Sequence, residues 1–195
     1  MPACRPVYSA TDATSGSIVL CRAPDGRSLP RRGPPAASGV PGHGGPKPAS
    51  SIACGEVRVS FVARRNAADV PTVSFKTPRG YLAVSTPEAT AFDLVGYPQH
   101  SGGVDNVATV LAELAEQLDP AALASLAPLS PVPWAQRLGF LLERIGAADR
   151  AIQLARHVAG VVNETTALVP SAPVEGAPYD KRWRLLINVQ VEPDL

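Results

Sequence analysis

The sequence is poor in the residues that build disulfide frameworks, metal sites and many catalytic centres. Its 195 residues include three cysteines, three histidines and one methionine. The cysteines, Cys4, Cys21 and Cys54, are odd in number and show no CxxC spacing. That pattern argues against a disulfide framework and against a structural zinc site. We therefore expect no bound metal and no cofactor.

Long apolar runs and a large excess of one charge are also missing. No stretch approaches the roughly 18 apolar residues of a membrane span, and residues 17–21 are too short for the apolar region of a signal peptide, about 7–15 residues. We expect a cytoplasmic protein with no membrane partner. The net charge is +1, with 18 basic and 17 acidic residues, which excludes a wholly basic nucleic-acid binder.

Proline and glycine are concentrated in the N-terminal quarter of the chain. Residues 1–50 hold 9 of the 21 prolines and 7 of the 16 glycines, and carry six basic against two acidic residues. Proline blocks helices and glycine raises the entropic cost of ordering. We predict that residues 1–51 are disordered or degenerate, either as a solvated basic linker or as an arm that contacts phosphate non-specifically. Runs rich in Ala, Arg and Pro also arise from a wrong reading frame or start site.

The remaining residues, 52–195, have the patterns of a folded α+β domain. Period-two alternation predicts strands, and Thr77-Pro78-Arg79-Gly80 predicts the turn of a hairpin. Helical spacing of apolar residues predicts helices, with Thr86 as the N-cap of the first and Asp149 as the N-cap of the last. The predicted strands are 56–65, 72–76, 81–85 and 182–192, and the predicted helices are 86–96, 104–118, 121–126, 134–146 and 149–159.

The order of these elements suggests how the domain closes. Strands come first, then helices, then one last strand, as in α+β folds. We expect the last strand to return to the N-terminal strands and the hairpin, forming one small antiparallel sheet. That sheet would pack on a bundle of about four helices.

Motifs of the common enzyme classes are missing. There is no P-loop, GxGxxG, HExxH or GxSxG, and we interpret the three histidines as solvated or packing residues. Glu88 and Asp93 are five residues apart on one helix, so they lie about 140° apart and do not share a face. A nucleic-acid-processing enzyme would need both to converge with Asp105 around a metal ion. That enzyme is one alternative hypothesis, and a plain protein-interaction domain is another.

The basic side chains support a more specific hypothesis. Lys and Arg neutralise phosphates, and Tyr81 and Trp183 offer rings on which a base stacks, although core packing is the competing interpretation. If the first strand, the hairpin and the last strand are neighbours, about seven cations converge. A dispersed, partly ion-paired surface is the alternative. The candidate nucleic-acid contacts are Arg58, Arg64, Lys76, Arg79, Lys181, Arg182 and Arg184.

Four blocks of sequence, in order, resemble the C-terminal domain of AbiEi-type antitoxins of type IV toxin–antitoxin systems. The resemblance covers roughly residues 52–195, and four blocks in order are more specific than any one of them. The blocks are FKTPRGYLAVSTPEATAFDLV at 75–95, GGVDNVA at 102–108, WAQRLGFLLE at 134–143, and RWR at 182–184 with the closing EPDL at 192–195.

The resemblance implies a non-enzymatic antitoxin and transcriptional regulator of the kind associated with abortive infection. Such a protein counteracts a nucleotidyltransferase toxin without forming a stable complex with it. Its N-terminal winged helix-turn-helix binds operator DNA, and a positive surface spans both domains. Residues 1–50 show no recognition helix and no wing, so we expect the winged helix to be missing and operator binding to be weak.

Overall fold

The structure is a computed structural model that describes residues 9–12, 17–22, 52–54, 57–63, 69–77, 80–161 and 164–194. The chain divides into two units, Met1–Ser85 and Thr86–Leu195. A sheet makes up most of the described part of the first unit, and five α-helices with a small sheet make up the second. The predicted α+β class is confirmed.

The sheet of the first unit has six antiparallel strands in the order β3-β4-β2-β1-β6-β5. The hairpin β5–β6 is confirmed, since Thr77 pairs with Gly80 and leaves a loop of two residues. Gly80 has a φ of 141°, which favours glycine there. The strands are β1 Ser9–Asp12, β2 Ser17–Arg22, β3 Ile52–Cys54, β4 Val57–Ala63, β5 Thr72–Thr77 and β6 Gly80–Ser85.

Two of these strands lie inside the segment 1–51 that we expected to be disordered or degenerate. Strand β2 pairs with β4 over six residues, and β1 lies between β2 and β6. Strand β2 is the short apolar run Ser-Ile-Val-Leu-Cys-Arg, whose β-branched residues suit a strand. The proline- and glycine-rich residues 23–51 lie outside the described residues, and the domain boundary at residue 52 stays a prediction.

The five α-helices of the second unit lie close to the predicted positions. Thr86 caps the first helix, because its Oγ1 accepts a hydrogen bond of 3.3 Å from the amide of Ala89. Asp119 caps the third helix in the same way, through the amide of Ala121 at 2.7 Å. The helices are α1 Pro87–Gly96, α2 Val104–Leu114, α3 Pro120–Leu126, α4 Val132–Arg144 and α5 Ala148–Val161.

The prediction that Asp149 caps the last helix is wrong. Helix α5 begins at Ala148, which places Asp149 inside the first turn. There its carboxylate pairs with Arg150 at 3.2 Å. An acidic side chain in the first turn still interacts favourably with the positive end of the helix dipole.

Helix α1 is the most enclosed helix of the second unit. Every residue from 88 to 95 is buried, and α1 contacts α2, α3 and α4. A helix buried on all sides needs apolar or hydrogen-bonded side chains around its whole circumference. The sequence EATAFDLV meets that need mainly with Ala, Phe, Leu and Val, and it adds two carboxylates.

The predicted strand over 182–192 is wrong for most of its length. Only Leu185–Leu186 is a strand, β9. It pairs with β7, Thr166–Ala167, and with β8, Tyr179–Asp180, in a separate three-stranded sheet. The last strand therefore does not join the N-terminal sheet.

Side chains explain why the strand is so short. The carboxylate of Asp180 accepts a bond of 2.9 Å from the amide of Trp183, which holds residues 180–183 in a turn, and Arg184 has a φ of 49°. After β9, the side-chain Nδ2 of Asn188 donates to the carbonyls of Val169 and Ala172 at 2.8 and 3.0 Å. The period-two pattern thus marks a half-buried extended segment that a side chain anchors.

Both tryptophans of the chain pack against a glycine. A Cβ atom on Gly96 of α1 would overlap the ring of Trp134 on α4, and one on Gly139 of α4 would overlap the ring of Trp183. Trp134 also makes an edge contact with Tyr97, with 5.2 Å between ring centroids. These close approaches fix α4 against α1 on one side and against the C-terminal segment on the other.

We predict that Gly139→Ala destabilises the second unit by about 1–3 kcal/mol, because the added methyl group overpacks against Trp183. Gly160→Ala is the matched control. Gly160 lies in α5 with no atom near the position of an added Cβ, so this change should stabilise by about 0.5–1 kcal/mol. Urea unfolding measures both effects. Equal effects of the two substitutions would contradict the Trp183 contact.

Candidate nucleic-acid interface

The hairpin β5–β6 presents one of the predicted cations beside an exposed aromatic ring. Lys76 pairs directly with Tyr81 across the two strands, so their side chains lie on the same face. Both are exposed, and Tyr81 has 75% of its surface accessible. A cation next to an accessible ring is the combination that binds phosphate and stacks on a base.

Of the other predicted cations of the first unit, Arg58 lies far from this pair in the strand order. Arg58 lies in β4, opposite Ala53 on one side and Arg22 on the other. Three strands separate β4 from β5, a distance of roughly 19 Å at about 4.8 Å per strand. Arg64 and Arg79 lie outside the described residues. The expected convergence of Arg58 with the hairpin is therefore not seen in the sheet.

The remaining predicted cations lie in residues 181–184, which we call the basic turn. The guanidinium of Arg182 forms an ion pair of 3.0 Å with Glu143 of α4, and it lies 5.7 Å from the centre of the Trp183 ring. Lys181 is exposed and Arg184 is half-buried. Since Glu143 neutralises Arg182, the basic turn carries less free positive charge than its sequence suggests.

Trp183 is a core residue, so core packing is confirmed as the interpretation of this ring and base stacking is not. Its side chain is fully buried against Gly139, and its indole N–H donates a bond of 2.9 Å to the carboxylate of Glu143. The carboxylate of Glu143 thus forms an ion pair with Arg182 and accepts a hydrogen bond from the indole. The ring is not available to a nucleic acid, and among the two predicted aromatics only Tyr81 is.

Two polar residues of α4 hold the basic turn and β7 in place, and sequence reasoning missed both. The side-chain Nε2 of Gln136 donates to the carbonyls of Glu164 and Arg184, each at 3.1 Å. Arg137 donates to the carbonyl of Ala167 at 3.0 Å and to the hydroxyl of Thr166 at 3.3 Å. Burial lowers the pKa of Arg137, because it penalises the charged form.

The three carboxylates of the enzyme hypothesis have separate structural surroundings. Glu88 accepts a bond of 3.0 Å from the amide of Asp119 and so ties α1 to the start of α3. Asp105 accepts a bond of 3.0 Å from the amide of Glu192, which fastens the C-terminal segment to α2. Asp93 is fully buried in α1. In the part of the chain that the structure describes, no group of three His, Cys, Asp or Glu side chains is placed to hold a metal ion.

A family model supplies the decisive comparison. The model of the AbiEi antitoxin C-terminal domain matches residues 43–144, slightly more than half of the chain. The chain belongs to this family. It therefore has the role of an antitoxin in a toxin–antitoxin system. The match contains the hairpin and helices α1–α4 and ends at the last residue of α4, so three of the four AbiEi-like blocks lie inside it and the block at 182–195 lies outside.

Other comparisons add no relative. Neither the search of curated proteins nor the search of solved structures found a match. Within the described residues, no helix has both the length and the apolar character to cross a bilayer.

We predict that the carboxylate of Glu143 matters more for stability than its ion pair. Glu143→Leu should destabilise by about 1–3 kcal/mol, because the buried indole N–H loses its acceptor. Glu143→Gln keeps an acceptor oxygen and should cost less. Arg182→Ala should cost at most about 1 kcal/mol, since half of its side chain is exposed to solvent. Urea unfolding of the three variants ranks them, and a larger loss from Arg182→Ala than from Glu143→Leu would refute this order.

Proposed function

We propose that this antitoxin belongs to a type IV system and counteracts a nucleotidyltransferase toxin without forming a stable complex with it. The chain acts in the cytoplasm and catalyses no reaction of its own. The observation that carries the proposal is the family match over residues 43–144. The match spans a continuous part of the fold, from the N-terminal sheet through α4, rather than an isolated motif.

The surroundings of the carboxylates support a role other than catalysis. Glu88 and Asp105, two of the three residues that the enzyme hypothesis requires, each accept a backbone hydrogen bond that joins distant parts of the second unit. Asp105 also lies in the same segment as Thr109, whose hydroxyl accepts from the amide of Asp194. These hydrogen bonds give both carboxylates a structural role in the second unit.

Co-expression with a nucleotidyltransferase toxin, the partner proposed for this chain, tests the antitoxin activity. We expect the chain to restore growth that the toxin arrests. Gly160→Ala should keep this activity, and Gly139→Val should lose it, because the larger side chain forces Trp183 out of its site. Growth arrest that the wild-type chain does not relieve would refute the proposal.

Affinity purification tests the type of antagonism. A tagged chain that relieves toxicity should not retain the toxin at physiological salt. A stable complex that co-elutes on size exclusion would contradict the type IV assignment, while leaving the antitoxin role intact.

We also propose that the chain contacts nucleic acid through the hairpin rather than through the basic turn. Lys76 and Tyr81 are exposed and adjacent on one face, whereas Arg182 is paired with Glu143 and Trp183 is buried. Contacts of this kind are electrostatic and independent of base sequence. Of the seven predicted cations, Lys76 is thus the strongest candidate among the described residues, with Lys181 second.

Fluorescence anisotropy with a labelled DNA oligonucleotide tests this contact. Lys76→Ala should weaken binding and reduce the slope of log affinity against log salt by about one. Tyr81→Ala should weaken binding to a single strand by about 5- to 150-fold, the value of one stacked base, and should change duplex binding little. Arg182→Ala is the matched control, since its charge is already neutralised. A larger effect of Arg182→Ala than of Lys76→Ala would place the contact at the basic turn.

A further inference from the structure

Strand β5 is an exposed edge of the six-stranded sheet. It is last in the strand order, with β6 as its neighbour on one side and no strand among the described residues on the other. Its residues 72–76 are all exposed. Val73 and Phe75, which alternation places on one face, have 53% and 56% of their surface accessible.

Such an edge is unusual for a protein that stays a monomer. Native sheets protect their edges with very short strands, prolines or several charges, because an open strand pairs with other chains. The opposite edge of this sheet, β3, has three residues. Strand β5 has six residues, with Lys76 as its one charge and no proline.

The hairpin register indicates which backbone groups face the open edge. Thr77 and Gly80 close a two-residue loop, so this pair exchanges hydrogen bonds and the bonded pairs then alternate along the ladder. Residues 73, 75 and 77 consequently bond to β6. The backbone N–H and C=O groups of Thr72, Ser74 and Lys76 point the other way, towards the open edge.

The sequence of β5 is complementary to itself in the antiparallel direction. With Ser74 placed opposite Ser74 of a second copy, all three outward residues find outward partners, because Thr72 then faces Lys76. In the same register Val73 faces Phe75 on the apolar side, and no like charges face each other. A register centred on Lys76 would instead place two lysines in direct opposition, which is unfavourable.

We propose that the chain forms a two-fold symmetric dimer through antiparallel pairing of β5 with β5 of a second copy, which joins two six-stranded sheets into one. A two-fold contact requires a surface that complements itself, and β5 centred on Ser74 is such a surface. Pairing satisfies the outward backbone groups and places Val73 of each copy in contact with Phe75 of the other. The dimer is independent of the proposed nucleic-acid contact, because Lys76 and Tyr81 lie on the opposite face from Val73 and Phe75.

Light scattering coupled to size exclusion tests the dimer on the full chain. We expect a mass of twice 20.3 kDa for the wild type and a mass of one chain for Ser74→Pro and Phe75→Lys. Proline at residue 74 removes an N–H that faces the open edge and leaves the β6 ladder intact, and lysine at 75 places a charge against Val73 of the second copy. Tyr81→Glu is the control, because it places a charge on an equally exposed aromatic position of β6, opposite Lys76, and it should stay dimeric. Circular dichroism verifies that each variant is folded.

Three results would overturn the proposal. The wild type running as a monomer at about 200 µM would exclude a dimer at concentrations where specific pairs form. A dimer that persists in both folded Ser74→Pro and folded Phe75→Lys would place the interface elsewhere. Loss of the dimer in Tyr81→Glu as well would show that the face of the hairpin, and not its edge, makes the contact.

Disulfide crosslinking tests the register. In a chain with Cys4, Cys21 and Cys54 replaced by serine, Ser74→Cys places two cysteines opposite each other, with Cα atoms about 5.5 Å apart, within the reach of a disulfide. Thr72→Cys places them about 14 Å apart, at roughly 3.4 Å per residue along the strand. We expect crosslinked dimer for Ser74→Cys and at least tenfold less for Thr72→Cys. Equal yields, or the reverse order, would contradict the register.

Discussion

The packing of Trp183 against Gly139 is the contact on which the second unit depends most. Glycine lets the ring approach the backbone of α4 where any side chain would overlap it. Glu143, one turn further along the same helix, accepts the indole N–H. The largest side chain of the C-terminal segment is thereby fully buried. Residues more than forty positions apart in sequence are fixed to each other, and β9 and the extended residues after it take their places from this contact.

Helix α4 acts as the frame of the second unit because three of its faces carry different contacts. Trp134 packs against Gly96 at the end of α1. Gln136 and Arg137 hold the backbone of β7 and of the basic turn by hydrogen bonds. Gly139 receives Trp183. The helical spacing of its apolar side chains explains the apolar contacts of α4. Its buried polar groups are stable because each of them has a hydrogen-bond partner.

Much of the fold could be predicted from the sequence because its signals are local. Thr86 and Pro87 mark a helix start through capping and ring geometry, and the two residues between β5 and β6 specify a hairpin. The prediction of a long C-terminal strand was wrong because alternation of apolar and polar residues indicates which side chains are buried, and does not show that the backbone pairs with another strand. The side chains of Asp180 and Asn188 bond the backbone there in place of a ladder. Core packing was already one interpretation of Trp183, but its packing partner Gly139 lies in a distant helix and could not be identified from local signals.

In the candidate site, too, local features could be predicted from the sequence and tertiary contacts could not. That Lys76 and Tyr81 lie near a hairpin tip followed from local pattern, and their direct pairing follows from the register. The grouping of all seven cations required knowledge of strand order, which separates Arg58 from the hairpin, and of the ion pair between Arg182 and Glu143. Family membership supplies the antitoxin role over residues 43–144. The contacts of α4 extend the folded unit beyond that match, towards the C-terminus.

Native-state hydrogen exchange tests most directly whether the C-terminal segment is part of the same cooperative unit as α4. If it is, the backbone amides of residues 168 and 187, which are bonded within this segment, should exchange with the same opening free energy as the central amides of α4. Exchange of these two amides that is faster by about 2 kcal/mol or more, with α4 still protected, would show that the segment opens independently and would contradict the account.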